Sequence, residues 1–189
     1  GTIYDSTGKL LVANNTSRAI TYTKPLNVAS SQMYKVANNL VNYVSVETDT
    51  LTERNKVDYY LADPKHTAAV NKHIPNADTM QDNEKLTKLQ TNYVKKHNLV
   101  KKMSEKQEQA AVLYAKMAGA YALSTVYLKT SDVSDSEMAE VGEHLSLLPG
   151  VKIGTSWSRS YPNGESVKSV IGTVTSEKQG LPSDQINKL

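Results

Sequence analysis

The stretch "SRAITYTKPLNVASSQMYKVANNLVNYV", residues 17–44, decides the fold class because the periodicity of the sequence changes inside it. Its first part is rich in β-formers and predicts a strand that ends at Pro25. From about Asn27 onward, apolar residues recur with the spacing of one helix face. These residues are Met33, Val36, Ala37, Leu40, Val41 and Val44. A strand that passes directly into an amphipathic helix indicates a fold that contains both elements.

The segment that follows, residues 50–124, is predicted to be helical almost throughout. Two pairs in it match the capping-box pattern of a helix start. The pairs are Thr50 with Glu53 and Ser104 with Gln107. Pro64 and Pro75 predict breaks between helices. The apolar positions include Val57, Tyr60 and Leu61 in one helix, and Ala110, Leu113, Tyr114, Met117, Ala118 and Tyr121 in another.

The two ends of the chain are predicted to form strands. Strand-like composition occurs at residues 2–4, 9–13, 124–130 and 166–176. Alternation over residues 151–157 predicts a half-buried strand. Its inward side chains are Val151, Ile153, Thr155 and Trp157. Ser134 with Glu137 predicts a helix start between the strands. Because neither β end alone makes a stable sheet, we expect the two ends to pair.

Runs of strands and helices without regular alternation predict an α+β fold. We expect residues 1–49 and 125–189 to form one unit around a mixed or antiparallel sheet, with residues 50–124 as an inserted, mainly helical unit. Residues 50–130 carry 13 Lys or Arg against 8 Asp or Glu, whereas the whole chain has a net charge of +3. This difference in composition supports an insert.

The composition excludes several classes of function. The chain has 189 residues and no cysteine, so disulfides, thiolate catalysis and cysteine-ligated metals are excluded. A net charge of +3 is too small to indicate a nucleic-acid binder. No apolar run is long enough to span a membrane. Gly1 leads directly into a strand-like stretch, so we expect the sequence to be part of a longer one.

Ser6 and Lys9 have the Ser-x-x-Lys spacing of penicillin-recognising acyl enzymes. In those enzymes the serine starts a helix and the lysine follows on the same face. Here Asp5 opens a turn that Gly8 closes between two strands. The partner triplets Ser-x-Asn and Lys-Thr-Gly do not occur in the sequence. We therefore interpret this stretch as a turn.

The four histidines show no metal-site spacing. His66 and His73 are seven residues apart, but no third ligand has suitable spacing and Pro75 lies close by. His97 lies in a basic helix end, and His144 does not belong to a His-Glu-x-x-His pattern. Surface or capping roles are favoured for all four.

Asp132, Asp135 and Glu137 resemble part of a calcium loop, but the central glycine and the distal glutamate are absent. Their position before a helix favours N-capping instead. The run "KKHNLVKK", Lys95 to Lys102, could meet phosphate in nucleic acid, teichoic acid or lipid headgroups. Lysines at a helix C-terminus also complement the helix dipole without a ligand, and we favour that interpretation.

No set of residues forms a credible catalytic constellation, so we predict no catalytic, cofactor-binding or metal-binding residues. The residues alone support a non-enzymatic α+β scaffold or binding module. Trp157 fits the inward phase of its strand and is expected in the core rather than at a ligand.

Two stretches at the ends resemble a known family. Gly1, Ile3, Asp5, Gly8, Leu11 and Ala13 fit the opening pattern of this family, with Ser6 and Thr7 in place of the usual Arg and Asn. The second set is Leu148-Pro149-Gly150-Val151, Arg159, Tyr161-Pro162, Gly172, Val174 and Gly180-Leu181-Pro182. The chain resembles the non-catalytic N-terminal domain of class B penicillin-binding proteins, most closely a Gram-positive branch of them.

This resemblance implies a pedestal formed by residues 1–49 and 125–189, with residues 50–124 as its helical head. It implies that the catalytic serine of the transpeptidase lies in a separate domain, so that the Ser6 spacing is coincidental. It also implies no cofactor, an extracytoplasmic position and a membrane anchor before Gly1. The implied partners are cell-wall synthesis proteins, including a membrane glycan polymerase, and a second copy in a homodimer, with peptidoglycan nearby. The alternative is a stand-alone extracellular module that binds an anionic wall polymer through its basic insert.

Overall fold

The computed structural model describes residues 14–159. In chain order its elements are β1 (Asn14–Thr23), α1 (Ser30–Leu40), α2 (Glu53–Ala62), α3 (Pro64–Asn71), α4 (Asn83–Lys96), α5 (Glu105–Ala118), β2 (Thr125–Lys129), α6 (Asp135–Glu143), a 3₁₀ turn (Leu145–Leu147) and β3 (Val151–Arg159). The predicted strands at residues 2–4, 9–13 and 166–176, and the turn at Ser6 and Lys9, lie outside the described residues.

A three-stranded antiparallel sheet with the order β2-β1-β3 joins the two ends of the described chain. β3 pairs with β1 along its whole length, from Tyr22 opposite Val151 to Asn14 opposite Arg159. β2 pairs with the other side of β1, and Thr23 lies opposite Thr125. The predicted α+β fold and the pairing of the two β ends are confirmed.

The central strand β1 supplies the best-buried residues of the sheet. Ala19 and Ile20 are fully buried, and Tyr22 is nearly so. On β3, Val151 is buried as predicted, but Ile153 keeps 37% of its surface exposed, and Thr155 is exposed. The nine-residue helix α6 lies against β3 near Ile153, so it covers only part of the strand. The side chain of Trp157 lies outside the described residues.

α2 and α5 are the central helices of the helical unit and contact each other. α1 packs on both of them, and α3 and α4 pack on α2. α1 buries Met33, Val36, Ala37 and Leu40, as the sequence pattern predicts. α5 buries Leu113 and Met117 completely. A second core cluster lies between α2, α3, α4 and the loop after α4. Its buried members are Val57, Val70, Ile74, Ala77, Val94 and Val100.

Helix starts follow the capping patterns with one correction. The Ser104–Gln107 box caps α5 and the Ser134–Glu137 box caps α6, as predicted. α2 is capped by Thr52 rather than by Thr50, with Asn55 as the reciprocal partner. The prediction at Thr50 is wrong because Thr50 lies in a turn that the bond from Leu51 N to Thr48 O closes at 3.1 Å.

The predicted apolar patterns of two helices are also partly wrong. Tyr121 is 85% exposed, because α5 ends at Ala118 and the helical spacing does not continue to it. In α2 it is Tyr59 that is buried, while Tyr60 and Leu61 are only partly covered. In α5 the periodic pattern extends past the end of the helix. In α2 the pattern is out of phase with the buried face.

By their contacts the residues divide into two compact units. Within the described range, one comprises residues 14–26, 120–146 and 150–159, and the other comprises residues 27–119 and 147–149. Helix α1 therefore packs within the helical unit, whereas the sequence analysis placed residues up to 49 with the β ends. Its apolar face contacts α5, which no local pattern reveals.

Candidate interaction surfaces

The histidines are held by neighbouring aromatic rings and backbone carbonyls. The His66 ring stacks on Tyr60 at a centroid distance of 3.9 Å, and its Nδ1 lies 2.9 Å from the Tyr60 carbonyl oxygen. His73 and His97 lie against the Tyr93 ring at 5.0 Å and 4.2 Å. His66 and His73 thus contact different tyrosines and do not converge.

The remaining histidine, His144, follows α6, and its Nδ1 lies 2.7 Å from the Glu140 carbonyl oxygen. Across residues 14–159, no three His, Asp or Glu side chains come close enough together to hold a metal ion.

Two residues of the predicted acidic cluster, Asp135 and Glu137, lie in the first turn of α6 and form ion pairs. The Ser134 hydroxyl accepts from Glu137 N–H at 3.0 Å, and the Glu137 carboxylate accepts from Ser134 N–H at 3.0 Å. Lys129 Nζ donates to both carboxylate oxygens of Glu137 at 3.0 Å. Asp135 pairs with Arg18. The predicted capping role is confirmed for Glu137. The ion pairs with Lys129 and Arg18 could not be inferred from the spacing.

The basic run lies at the C-terminal end of α4, as predicted, with Lys95 and Lys96 in its last turn. Asn98 takes a left-handed conformation with a φ of 53°, and Val100 is buried in the helical core. Lys101 and Lys102 follow on the surface. Among the described residues, none of these four lysines pairs with a carboxylate.

A cleft of about 500 Å³ opens in the helical unit between α1, α2, α4 and α5. Its polar lining comes from Ser30, Asn55, Asp58, Thr87, Gln90 and Tyr114. Burial raises the pKa of Asp58, and the Arg54 guanidinium beside it acts in the opposite direction. No sequence pattern indicates this cleft, because its lining residues are scattered over residues 30–119.

A buried hydroxyl lies in the same unit. The Tyr59 hydroxyl donates a hydrogen bond to Asn38 Oδ1, and its ring packs against Tyr34 at 4.8 Å and Tyr114 at 6.1 Å. Burial, and then the nearby Tyr34, raise the pKa of Tyr59 well above its ordinary value. This arrangement is a packed, hydrogen-bonded part of the core of the helical unit.

The sheet unit exposes apolar side chains where the chain leaves β1 and enters β2. Leu26, Tyr121 and Leu123 are 63%, 85% and 67% exposed. The backbone there is held by bonds from Leu123 N–H to the Lys24 carbonyl at 2.7 Å and from Lys24 N–H to the Ser124 carbonyl at 3.0 Å. Exposed aromatic and aliphatic groups on an ordered backbone are typical of protein contact surfaces.

Within the part of the chain that the structure describes, no helix has both the length and the apolar character needed to cross a membrane.

Comparison with known proteins identifies the class to which this fold belongs. The family model described as the penicillin-binding protein dimerisation domain matches residues 1–189. The chain therefore belongs to the penicillin-binding protein dimerisation domain family. The resemblance inferred from the end motifs is confirmed.

Two curated relatives show how much of a longer protein the match covers. The chain is 36% identical to penicillin-binding protein 2A of Bacillus subtilis, over 99% of this chain and 26% of that protein. It is 30% identical to penicillin-binding protein 2B of Streptococcus pneumoniae serotype 4, over 98% of this chain and 28% of that protein. The chain thus spans about a quarter of the length of these relatives.

The fold is similar to a solved structure of the same class. Penicillin-binding protein 2B from Streptococcus pneumoniae strain R6 matches with a TM-score of 0.60 and 26% identity, over 90% of this chain and 25% of that one.

Proposed function

We propose that this chain is the non-catalytic N-terminal scaffold domain of a membrane-anchored peptidoglycan D,D-transpeptidase that acts in cell-wall synthesis. The observation that carries the proposal is the match of the dimerisation-domain family over all 189 residues, combined with coverage of about a quarter of the relatives. In this proposal the transpeptidase chemistry belongs to a domain outside this chain. The chain's part is to hold that domain in position at the extracytoplasmic face of the membrane.

The architecture suits a scaffold. The sheet takes β1 from one end of the described chain and β3 from the other, and Asn14 pairs directly with Arg159. A sheet formed by strands so far apart in sequence holds the two ends of the described chain together at one place. The helical unit is inserted between β1 and β2, so its surface can differ without breaking the sheet.

Contacts with other proteins complete the proposed role. The exposed Leu26, Tyr121 and Leu123 side chains support a protein contact in the sheet unit. The proposed partners are cell-wall synthesis proteins, including a membrane glycan polymerase, and a second copy of the chain. The proposed anchor is a membrane-spanning segment before Gly1.

Intact mass measurement after incubation with a reactive penicillin tests the assignment of the chemistry. We expect an adduct on the native-length protein and none on this chain. An adduct on this chain that disappears in the Ser6→Ala variant would contradict the proposal, because it would show that Ser6 and Lys9 form an acylation site.

A deletion tests the scaffold role itself. A variant of the longer protein from which this domain is deleted should still be acylated by penicillin. It should no longer support growth of cells depleted of the intact protein. Full support of growth by the deleted form would overturn the scaffold role and leave the family assignment unaffected.

A further inference from the structure

Six of the chain's nineteen lysines lie on α4 and in the loop after it. Between Glu84 and Glu105 there are six lysines and no carboxylate. They are Lys85, Lys88, Lys95, Lys96, Lys101 and Lys102. All six are exposed, and none of them pairs with a carboxylate among the described residues.

Four of these lysines share one face of α4. At 3.6 residues per turn, Lys85, Lys88, Lys95 and Lys96 fall within roughly 100° of the helix circumference. Asn92 lies in the same sector, and it is also exposed. From Lys85 to Lys96 the sector runs for about 16 Å along the helix axis. We call this face the lysine stripe.

The opposite face of α4 fixes the stripe in place. Val94 is fully buried, Gln90 is buried and donates to Asn71 at 2.8 Å, and Leu86 and Tyr93 pack on the helical core. The chain beyond the helix is anchored by buried Val100, so Lys101 and Lys102 follow an ordered turn. The lysines therefore lie in a line on an ordered surface, and they form no ion pairs among the described residues.

We propose that the lysine stripe binds a linear phosphate polyanion. Exposed lysines that are not neutralised by carboxylates attract phosphates, and binding releases the counterions condensed on the polymer. A linear array of charges about 16 Å long can contact several successive phosphates of one polymer chain at the same time. A single phosphate ion makes fewer contacts and should bind more weakly. The inference does not depend on the transpeptidase scaffold role.

Two other anionic partners fit the surface less well. Proteins that bind single-stranded nucleic acid stack bases on aromatic side chains. The stripe carries no aromatic residue, and the Tyr93 ring lies between His73 and His97. A helix that binds membranes inserts its apolar face into the bilayer. On α4, Leu86, Tyr93 and Val94 are packed in the core, and the exposed Leu89 does not form an apolar face by itself.

Binding of linear polyphosphate to the 189-residue chain, measured by isothermal titration calorimetry at several salt concentrations, tests the proposal. We expect binding at low salt that weakens steeply as salt rises. The variant K88Q/K95Q/K96Q should bind about tenfold more weakly or worse, with a shallower salt dependence. A matched control, K35Q/K65Q/K72Q, removes the same charge at exposed positions elsewhere in the helical unit and should bind within about twofold of the original chain.

Three further arms decide between explanations. K88R/K95R/K96R keeps the charge and should keep the binding, and circular dichroism checks that each variant is folded. Inorganic phosphate at the same total phosphate concentration should compete poorly. The proposal is overturned by no binding of the original chain at low salt, by equal loss in the two glutamine variants, or by tighter binding of single-stranded DNA or phosphatidylglycerol vesicles than of polyphosphate.

Discussion

Gly150 joins the segment after the 3₁₀ turn to β3 in a conformation that other residues rarely adopt. Its φ is 90°, and a Cβ at this position would lie 2.7 Å from Tyr22 Cε1 and 2.8 Å from the Thr23 carbonyl oxygen. The Gly150 carbonyl also accepts from Thr23 N–H at 2.8 Å. A larger side chain therefore does not fit at this position, and the hydrogen bond to Thr23 prevents the backbone from shifting to make room.

Gly150→Ala should lower the free energy of unfolding by about 2 kcal/mol or more, because it combines backbone strain with a clash against a nearly fully buried ring. Urea denaturation measures the change. Gly154→Ala is the matched control, since no atom lies within 4 Å of its added methyl group, and it should change stability by less than about 0.5 kcal/mol. Equal effects of the two substitutions would contradict the role of Gly150.

Tyr59→Phe removes a buried hydrogen bond to Asn38 and should cost about 1–2 kcal/mol of unfolding free energy. Tyr121→Phe, at a side chain that is 85% exposed, should change it by less than about 0.5 kcal/mol. Chemical denaturation at neutral pH separates the two. A loss at Tyr121 as large as at Tyr59 would show that the buried hydroxyl does not stabilise the fold.

The raised pKa of Tyr59 also predicts how stability depends on pH. Burial raises the pKa of Tyr59 above 10.0, so the folded state holds the phenol proton more tightly than the unfolded state does. The resulting stabilisation is complete below pH 10 and is lost as the pH rises further, by up to about 1.4 kcal/mol per pH unit. The unfolding free energy of the Tyr59→Phe variant should therefore decrease less steeply than that of the original chain between about pH 10 and pH 12. Parallel curves would contradict this prediction.

At the scale of elements, capping patterns predicted helix starts more accurately than apolar periodicity predicted buried faces. A cap depends on residues three apart, as in Ser104 with Gln107 and Ser134 with Glu137, and local sequence contains all of it. A buried face depends on what packs against the helix. Tyr121 fits the periodic pattern of α5, yet it lies beyond the end of that helix.

The α6 cap can be tested directly. Ser134→Ala removes the acceptor of Glu137 N–H and should destabilise the protein by about 1 kcal/mol. Ser136→Ala, at an exposed position inside the same helix, should have little effect. Thermal unfolding of both variants provides the comparison, and equal midpoints would contradict the capping role.

At the scale of the whole molecule, each of the two units has its own core. The sheet unit buries Ile20, Tyr22 and Leu128, while the helical unit buries Val57, Val94 and Leu113. A unit with its own buried core can fold alone. The expectation that each unit folds alone can be tested by producing the helical unit as a separate fragment.

A fragment of residues 27–119 should retain helical structure and unfold cooperatively, because it contains the buried residues of the helical unit except Leu148. Circular dichroism during urea titration measures both properties. Val94→Asp places a charge in the fully buried core and should abolish the transition in the same fragment. An intact fragment without a cooperative transition would show that the helical unit depends on the rest of the chain.

The sequence by itself determined the α+β class, the strand that Pro25 follows, the two capping boxes, the breaks at Pro64 and near Pro75, and the family. These features depend on residues close together in the chain or on motifs that can be compared directly.

Only the tertiary structure decided which charged groups are paired and which remain unpaired. Glu137 is bound by Lys129 and Asp135 by Arg18, whereas the lysines of α4 meet no carboxylate among the described residues. The cleft, the burial of Tyr59 and the packing of α1 on α5 were equally hidden from sequence analysis. The physical reason is that pairing and burial depend on contacts between residues that the fold brings together from distant parts of the chain.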